Sequence, residues 1–331
     1  MTTTTPSTGR GLRRWLPLGV GAVLTIVCAA FIVRVLMNDW AQVSDLVTNA
    51  SWTWLVTALV CAAAGMTVIA VTWADALAVM GGHMRRGQSV AWYYVGEIAK
   101  YLPGSIWAAV GRGEVARRRG VPAPQAYPSV FLSLIALYLA AALTAAILLP
   151  FDLAHSSEAG PALLLLLLVP LGLAGLHPRV LGAMVEFGER VTRRSIPVRI
   201  PAWRSSVLLV LRYVPAWIGI ALATWCVALA LPDVDAPLLR LSLATVLSWT
   251  AGFLTPTPGG AGVREAVFVA VSGLASGPAV AVAVTARIIF VLVDVVGALV
   301  GAPFTGRTTR RADSLGSPAT GPSPIIADEE G

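Results

Sequence analysis

The chain has 331 residues, of which 56% are apolar and only 12% are charged, and its mean hydropathy is +0.76. An ordinary soluble domain carries roughly 25% charged residues, so this composition excludes a soluble globular protein. Each bilayer crossing needs about 20 mostly apolar residues, and the apolar content suffices for roughly six to eight crossings in one polytopic domain.

Charge and cysteine usage exclude further classes of protein. The 24 basic and 17 acidic residues give a net charge of +7, and Lys100 is the only lysine. The three cysteines lie in apolar segments and the three histidines lie in separate connections, so the sequence predicts neither disulfides nor a metal site. We expect no cofactor, and nucleic acid is not an expected partner.

Six long apolar stretches predict membrane-spanning helices. The first follows an N-terminal tail, residues 1–14, which carries three arginines and is predicted to be cytoplasmic. No small-residue cleavage site ends this stretch, so we interpret it as a retained span rather than a signal peptide. The predicted spans are Trp15–Met37, Trp52–Met80, Tyr127–Leu149, Pro161–Leu176, Val207–Leu231 and Ala279–Ala302.

The placement of arginine orients these spans, because basic residues are retained on the cytoplasmic side. The arginine-bearing connections are 81–88 and 177–206, and the acidic connections without a base are 38–51, 150–160 and 232–237. Both termini are therefore predicted to be cytoplasmic. The bias toward arginine and alanine favours a bacterial plasma membrane, and residues 304–331, rich in Gly, Ser, Pro and Thr, are predicted to form a disordered tail.

The central cytoplasmic connection contains a helical pattern. Apolar and charged residues alternate at helical spacing from Val180 to Arg194. This pattern is typical of a short amphipathic helix on the membrane interface, and a solvated link between spans explains it equally well.

Two stretches, Ser89–Arg119 and Leu238–Gly277, do not fit ordinary spans. A single crossing by the first would place Arg117, Arg118 and Arg119 outside, and a single crossing by the second would place the arginine-bearing tail outside. We therefore predict two re-entrant helical hairpins. The first enters from the cytoplasm and breaks at residues 102–104, and the second enters from the outside and breaks at Thr255–Gly262.

The order of these elements predicts an inverted repeat. Each half contains two spans, a hairpin and a further span, and the halves 15–149 and 161–303 have opposite orientations. The predicted fold is an all-α integral membrane protein, with six full transmembrane helices plus two re-entrant helical hairpins in an inverted-topology repeat over residues 15–303. Transporters built in this way place the substrate near the bilayer midplane, between the broken helices.

Charged residues at membrane depth predict the site, because they are costly there and face a cavity or one another. Arg287 and Asp294 are seven residues apart on one helix face, too far to bond each other. The glycine-rich break, and the helix expected to start near Val263, suit an anionic headgroup such as phosphate. Neutralised pairs that only hold the hairpins in place are the alternative. The predicted substrate-binding residues are Glu97, Lys100, Tyr101, Pro103, Gly104, Arg112, Pro258, Gly259, Gly260, Arg264, Glu265, Arg287 and Asp294.

Two sequence stretches resemble a known family. These are GEIAKYLPGSIWAAVGR at 96–112 and TPTPGGAGVREA at 255–266, which resemble the signature stretches of the transmembrane domain of lysylphosphatidylglycerol synthase, or multiple peptide resistance factor. The likeness covers roughly Arg14–Ala302. In that family this domain is regarded as a flippase for the aminoacylated lipid, and a separate soluble domain performs the aminoacyl transfer. The resemblance implies that the motif residues form a lipid pathway.

We expect a stand-alone, non-enzymatic member, because the predicted tail after the membrane domain, residues 304–331, has only 28 residues and is too short for a synthase domain. The expected partners are the membrane and an anionic phospholipid or polyprenyl-phosphate-linked lipid. Two alternatives stay open: a membrane-embedded enzyme that uses Asp233 and Asp235, and a scaffold for a separately encoded lipid-modifying synthase or glycosyltransferase. A homo-oligomer also stays open.

Overall fold

A computed structural model describes residues 49–101, 106–153, 169–192, 198–232, 234–255 and 257–306. Over these ranges the chain is helical, and none of the described residues forms a β-strand. The helices are α1 (Trp52–Val79), α2 (Arg86–Glu97), α3 (Trp107–Arg118), α4 (Ala123–Leu153), α5 (Pro178–Thr192), α6 (Trp203–Ala230), α7 (Leu238–Phe253), α8 (Val263–Ser272) and α9 (Ser276–Gly306).

Helices α1, α4, α6 and α9 are long and apolar enough to cross a membrane. At a rise of 1.5 Å per residue each is about 42 Å long or longer, which exceeds the hydrocarbon thickness of about 30 Å. They coincide with four of the six predicted spans, so the chain is a multi-pass membrane protein. Several predicted parts of the chain lie outside the described residues. They are the N-terminal tail 1–14, the span Trp15–Met37, residues 161–168 of the fourth span and the part of the C-terminal tail beyond 306.

Four of the five shorter helices, α2, α3, α7 and α8, form two consecutive pairs. With 10 to 16 residues they are only about 15–24 Å long, so none of them spans the hydrocarbon alone. The second pair is interrupted where the sequence predicted a break, whereas residues 102–104, the predicted break of the first pair, lie outside the described residues. A 3₁₀ turn at Ile98–Tyr101 directly follows α2, and a 3₁₀ turn at Pro258–Gly260 lies between α7 and α8.

The two helix pairs pack in corresponding ways. Helix α2 packs on α9 and α7 packs on α4, while α3 packs on α4 and α8 packs on α9. Both pairs therefore lie between the same two long helices. The two 3₁₀ turns contact each other there, so the interrupted segments meet inside the helical bundle.

Close contact between α1 and α6 depends on two glycines. A Cβ atom on Gly65 would lie 2.9 Å from the Ala216 carbonyl oxygen, and a Cβ atom on Gly219 would lie 2.9 Å from the Gly65 Cα atom. Small residues let membrane helices approach at backbone distance, where packing replaces the hydrophobic effect as the source of association. This contact joins the part of the chain before the central connection to the part after it.

The predicted amphipathic helix in the central connection is present as α5. Its charged face carries an ion pair between Arg190 and Glu186 at 3.7 Å, and its apolar Phe187 is exposed. An exposed apolar side chain beside solvated charges is typical of a helix on the membrane interface, so this location stays a prediction.

We predict that Gly65→Leu destabilises the protein by about 1–3 kcal/mol, since the added side chain must separate α1 from α6. Thermal unfolding of the detergent-purified protein measures the change. The control is Val60→Leu, on the exposed side of the same helix. Equal melting temperatures for the two variants would contradict the glycine contact.

Candidate functional site

A cavity of about 120 Å³ lies where the two interrupted segments meet. Its lining residues come from α1, α2, α3, α4, α6, α7, α8 and α9 and from both 3₁₀ turns. The predicted site residues that line it are Glu97, Lys100, Tyr101, Arg112, Gly259, Gly260, Arg264, Arg287 and Asp294. Glu265 lies beside it through its bond to Arg287, and Pro258 begins the adjacent 3₁₀ turn. Pro103 and Gly104 lie outside the described residues.

Asp294 joins α9 to the first 3₁₀ turn. Its Oδ2 atom lies 2.6 Å from the Lys100 Nζ atom and accepts a hydrogen bond of 2.6 Å from the Tyr101 hydroxyl. The Asp294 side chain is completely buried, whereas the Lys100 side chain is 20% exposed. A buried carboxylate is tolerated only with such partners, so this contact fixes the turn against α9.

Glu97 and Arg112 face each other across the crossing of α2 and α3. The Arg112 Nε atom lies 3.5 Å from Glu97 Oε2, and Glu97 also approaches Lys100 at 3.7 Å. The crossing is tight because a Cβ atom on Gly96 would lie 2.8 Å from the Arg112 Cγ atom. Glycine at this position therefore lets the Arg112 side chain enter the cavity while remaining almost completely buried.

Glu265 connects the start of α8 to α9. Its Oε1 atom accepts a hydrogen bond from Arg287, and its Oε2 atom accepts one of 2.7 Å from the Gly262 backbone N–H. Helix α8 begins at Val263, as the sequence predicted, but this carboxylate already balances part of the positive helix terminus. An anionic ligand therefore depends on side-chain cations more than on the free N–H groups of α8.

Arg264 differs from the other basic residues of the cavity. Its guanidinium carbon lies 3.8 Å from the ring centroid of Trp249 and 5.4 Å from that of Phe290. Among the described residues it forms no salt bridge with a carboxylate. The two aromatic rings hold the guanidinium by cation–π attraction and leave its charge available to a ligand.

The described side chains around the cavity carry one positive charge in excess. Four basic residues surround it, and three carboxylates balance them. The basic residues are Lys100, Arg112, Arg264 and Arg287, and the acidic ones are Glu97, Glu265 and Asp294. Ion pairs neutralise Lys100, Arg112 and Arg287, but they do not account for Arg264, which the alternative of neutralised pairs had also included.

Unpaired polar atoms concentrate at this cavity. Buried polar atoms in proteins almost always have hydrogen-bond partners, so exceptions require an explanation. Among the described residues, the buried atoms without a hydrogen bond are Ser206 Oγ, away from the cavity, and five atoms of cavity residues: Glu97 Oε2, Arg112 Nε and Nη1, Trp249 Nε1 and Asp294 Oδ1. Of these, Glu97 Oε2 and Arg112 Nε face each other only at the ion-pair distance of 3.5 Å. A polar ligand or ordered water would satisfy these donors and acceptors.

Comparison with known proteins agrees with this arrangement. A family model described as "Lysylphosphatidylglycerol synthase TM region" matches residues 18–300. The chain belongs to this family. No curated individual protein matches the chain. The match includes both interrupted helix pairs and every residue of the cavity, so the cavity is part of the lysylphosphatidylglycerol synthase transmembrane region.

Sequence reasoning missed the aromatic lining of this family member's cavity. Tyr93, Tyr138, Trp217, Trp249 and Phe290 line it together with the charged residues. The signal that could have identified them is their position along the predicted spans. Aromatic residues of membrane helices concentrate at the two interfaces, whereas Trp217 lies in the middle of α6.

A second charged cluster lies at the end of α3, away from the cavity. Glu114 accepts hydrogen bonds of 2.8 Å from Arg117 and from Arg118. These guanidinium groups hold the pKa of the Glu114 carboxyl well below its usual range. This contribution to stability is present above the unfolded-state pKa of about 4.3 and is lost as the pH falls toward the folded-state pKa.

We predict that Lys100→Met lowers the free energy of unfolding by about 3–5 kcal/mol, because it leaves the buried Asp294 carboxylate without its cation. The double variant Lys100→Met/Asp294→Asn removes that uncompensated charge and should recover much of the loss. Thermal unfolding in detergent measures both.

The matched control is Arg86→Met, which breaks the more exposed ion pair of Arg86 with Asp75 at 4.0 Å. We expect a change of about 1 kcal/mol or less for this variant. Additive effects of Lys100→Met and Asp294→Asn in the double variant would contradict the buried ion pair.

Proposed function

We propose that this protein is a non-enzymatic lipid flippase, which moves an anionic phospholipid or lipid-linked headgroup across the bacterial plasma membrane. One observation carries the proposal: the unneutralised Arg264 guanidinium faces a cavity lined by unpaired polar atoms within the membrane domain. Membership in the lysylphosphatidylglycerol synthase transmembrane family supports a lipid as the substrate.

The proposal includes the predicted topology of six spans, two re-entrant hairpins and cytoplasmic termini. Its support is the length of the short helices and the corresponding packing of the two pairs between α4 and α9. Interrupted backbone at membrane depth is tolerated only where protein or water surrounds it. Hairpins from opposite sides of an inverted repeat would bring both breaks to one central cavity.

The single excess positive charge of the cavity indicates which headgroup it can neutralise. A phosphodiester carries one negative charge, which would complete the neutralisation of four cations by three carboxylates. Its oxygens would accept hydrogen bonds from Arg264 and from the Arg112 Nε and Nη1 atoms, which have no hydrogen-bond partner among the described residues. Because hydrocarbon excludes counterions, a headgroup whose charge is neutralised by the cavity crosses the bilayer at a lower free-energy cost than the same headgroup in lipid alone.

The ion pairs of the cavity also supply a means of movement. Lys100 contacts both Glu97 of α2 and Asp294 of α9. An arriving phosphate competes with these carboxylates for the same ammonium group. Exchange of partners would loosen the first 3₁₀ turn from α9, so that the headgroup passes from one side of the cavity to the other while its tails stay in lipid.

We predict that Arg264→Gln lowers headgroup translocation at least tenfold in proteoliposomes that contain the purified chain alone. The assay follows fluorescently labelled phosphatidylglycerol by chemical quenching of the outer leaflet. A tenfold loss corresponds to about 1.4 kcal/mol, within the range of one charge-assisted hydrogen bond.

The control is Arg204→Gln, an exposed arginine at the start of α6 that does not line the cavity. Arg264→Lys should retain part of the activity, because it keeps the charge but loses the planar stacking on Trp249. Equal transport rates for the wild type and folded Arg264→Gln would refute the site.

The same assay separates the transporter from the two alternatives. Translocation by the purified chain needs no second protein, which a scaffold would require. Of the acidic pair considered for an enzyme, Asp235 is described and Asp233 is not, so the enzyme stays an alternative prediction.

A further inference from the structure

An apolar groove lies next to the charged cavity. It is lined by residues 135–145 of α4, by residues 171–172 and by residues 246–250 of α7, and its volume is about 360 Å³. Its one threonine, Thr250, donates its hydroxyl hydrogen bond to the Val246 carbonyl oxygen at 2.8 Å. The hydroxyl is therefore satisfied by its own helix, and the groove surface is almost entirely hydrocarbon.

The groove and the cavity share one wall. Tyr138 lines both of them, and it is the one described residue that does so. Its ring stacks on Phe253, with centroids 4.1 Å apart and planes 27° apart, and its centroid lies 6.2 Å from that of Trp217. A single aromatic side chain thus separates a charged compartment from an apolar one.

The shape of the groove is set by close packing. A Cβ atom on Gly172 would lie 2.0 Å from the Leu139 Cδ2 atom, so the helical residues around Gly172 lie directly on α4. From Tyr138 to Ala145 the groove follows α4 for roughly 10 Å. This elongated apolar surface meets the charged cavity at Tyr138.

We propose that this apolar groove holds a hydrocarbon chain of the lipid whose headgroup occupies the cavity, and that Tyr138 divides the two binding regions. The proposal rests on the proposed function, because it assigns the second part of the same amphiphilic substrate. An amphiphile requires a polar site and an apolar site in direct continuity, and Tyr138 is where the two meet.

The groove would orient the lipid rather than add much affinity. Lipid tails are already in an apolar medium, so moving one into the groove brings no hydrophobic gain. The groove instead restricts the direction from which a headgroup enters the cavity. A steric block should therefore reduce translocation of a lipid and leave binding of a soluble headgroup unchanged.

The first test is photolabelling in proteoliposomes that contain the full chain. The probe is phosphatidylglycerol with a photoreactive diazirine in one acyl chain, and mass spectrometry locates the labelled peptides. We expect labelling of residues 135–145 and 246–250 to exceed that of the exposed face of α1 around Val60 severalfold. Uniform labelling of all lipid-facing helices would overturn the proposal.

The second test fills the groove from either wall. We expect Ala142→Trp in α4 and Leu247→Phe in α7 each to reduce this labelling and lipid translocation severalfold. Binding of soluble glycerophosphate should not change. The control is Ile147→Trp, an exposed position on the same helix as Ala142. Equal behaviour of Ala142→Trp and Ile147→Trp would overturn the proposal.

Two outcomes distinguish this proposal from its alternatives. Loss of transport in Arg264→Gln with full transport and labelling in Ala142→Trp would refute the groove alone, whereas an absence of transport by the wild-type chain would refute the proposed function. If residues 154–168 of the chain filled the groove instead of a lipid, Ala142→Trp would displace them. A melting temperature of lipid-free Ala142→Trp well below that of Ile147→Trp would indicate such self-occupancy and overturn the proposal.

Discussion

The need to neutralise charge inside a membrane organises this protein, and α9 meets most of that need. Asp294 binds Lys100 and Tyr101 of the first interrupted segment, and Arg287 of the same helix binds Glu265 of the second. Breaking either ion pair alone leaves one buried charge without its partner, which costs several kcal/mol. Helix α9 therefore holds both breaks in position by two ionic contacts about two helical turns apart.

Glycine makes these ionic contacts sterically feasible. Gly96 lets α3 approach α2 so that Arg112 reaches Glu97. Gly260 has a φ of +71°, and its Cβ position would lie 2.7 Å from the Gly252 Cα atom, so a larger residue would displace the second break from α7. The meeting of the two irregular segments thus requires both long-range ion pairs and local backbone freedom. Together these allow the segments to meet without exposing their polar groups to lipid.

Much of this arrangement follows from the sequence. Hydropathy predicted the four long helices of the described residues, and Pro and Gly predicted the interruption between α7 and α8, because these residues act locally. Scarcity of charge then predicted which ionisable residues meet, since a lone charge in hydrocarbon needs a partner. The pairing itself required the fold: nothing local assigns Asp294 to Lys100 rather than to Arg264. The same holds for Trp249, whose contact with Arg264 joins residues from different helices, and for Tyr138, whose position between two cavities is a property of tertiary packing.

The position of Lys100 gives the protein an unusual chemical selectivity. It is the only lysine in 331 residues, and its ammonium group lies at the cavity, 2.6 Å from Asp294. Apart from the α-amino group of the chain, the protein offers amine-directed reagents a single target. A small acylating or isotopically labelled methylating reagent would therefore attach at the cavity in the unmodified sequence, and the protonation and exposure of one nitrogen atom could be followed spectroscopically without introducing any substitution.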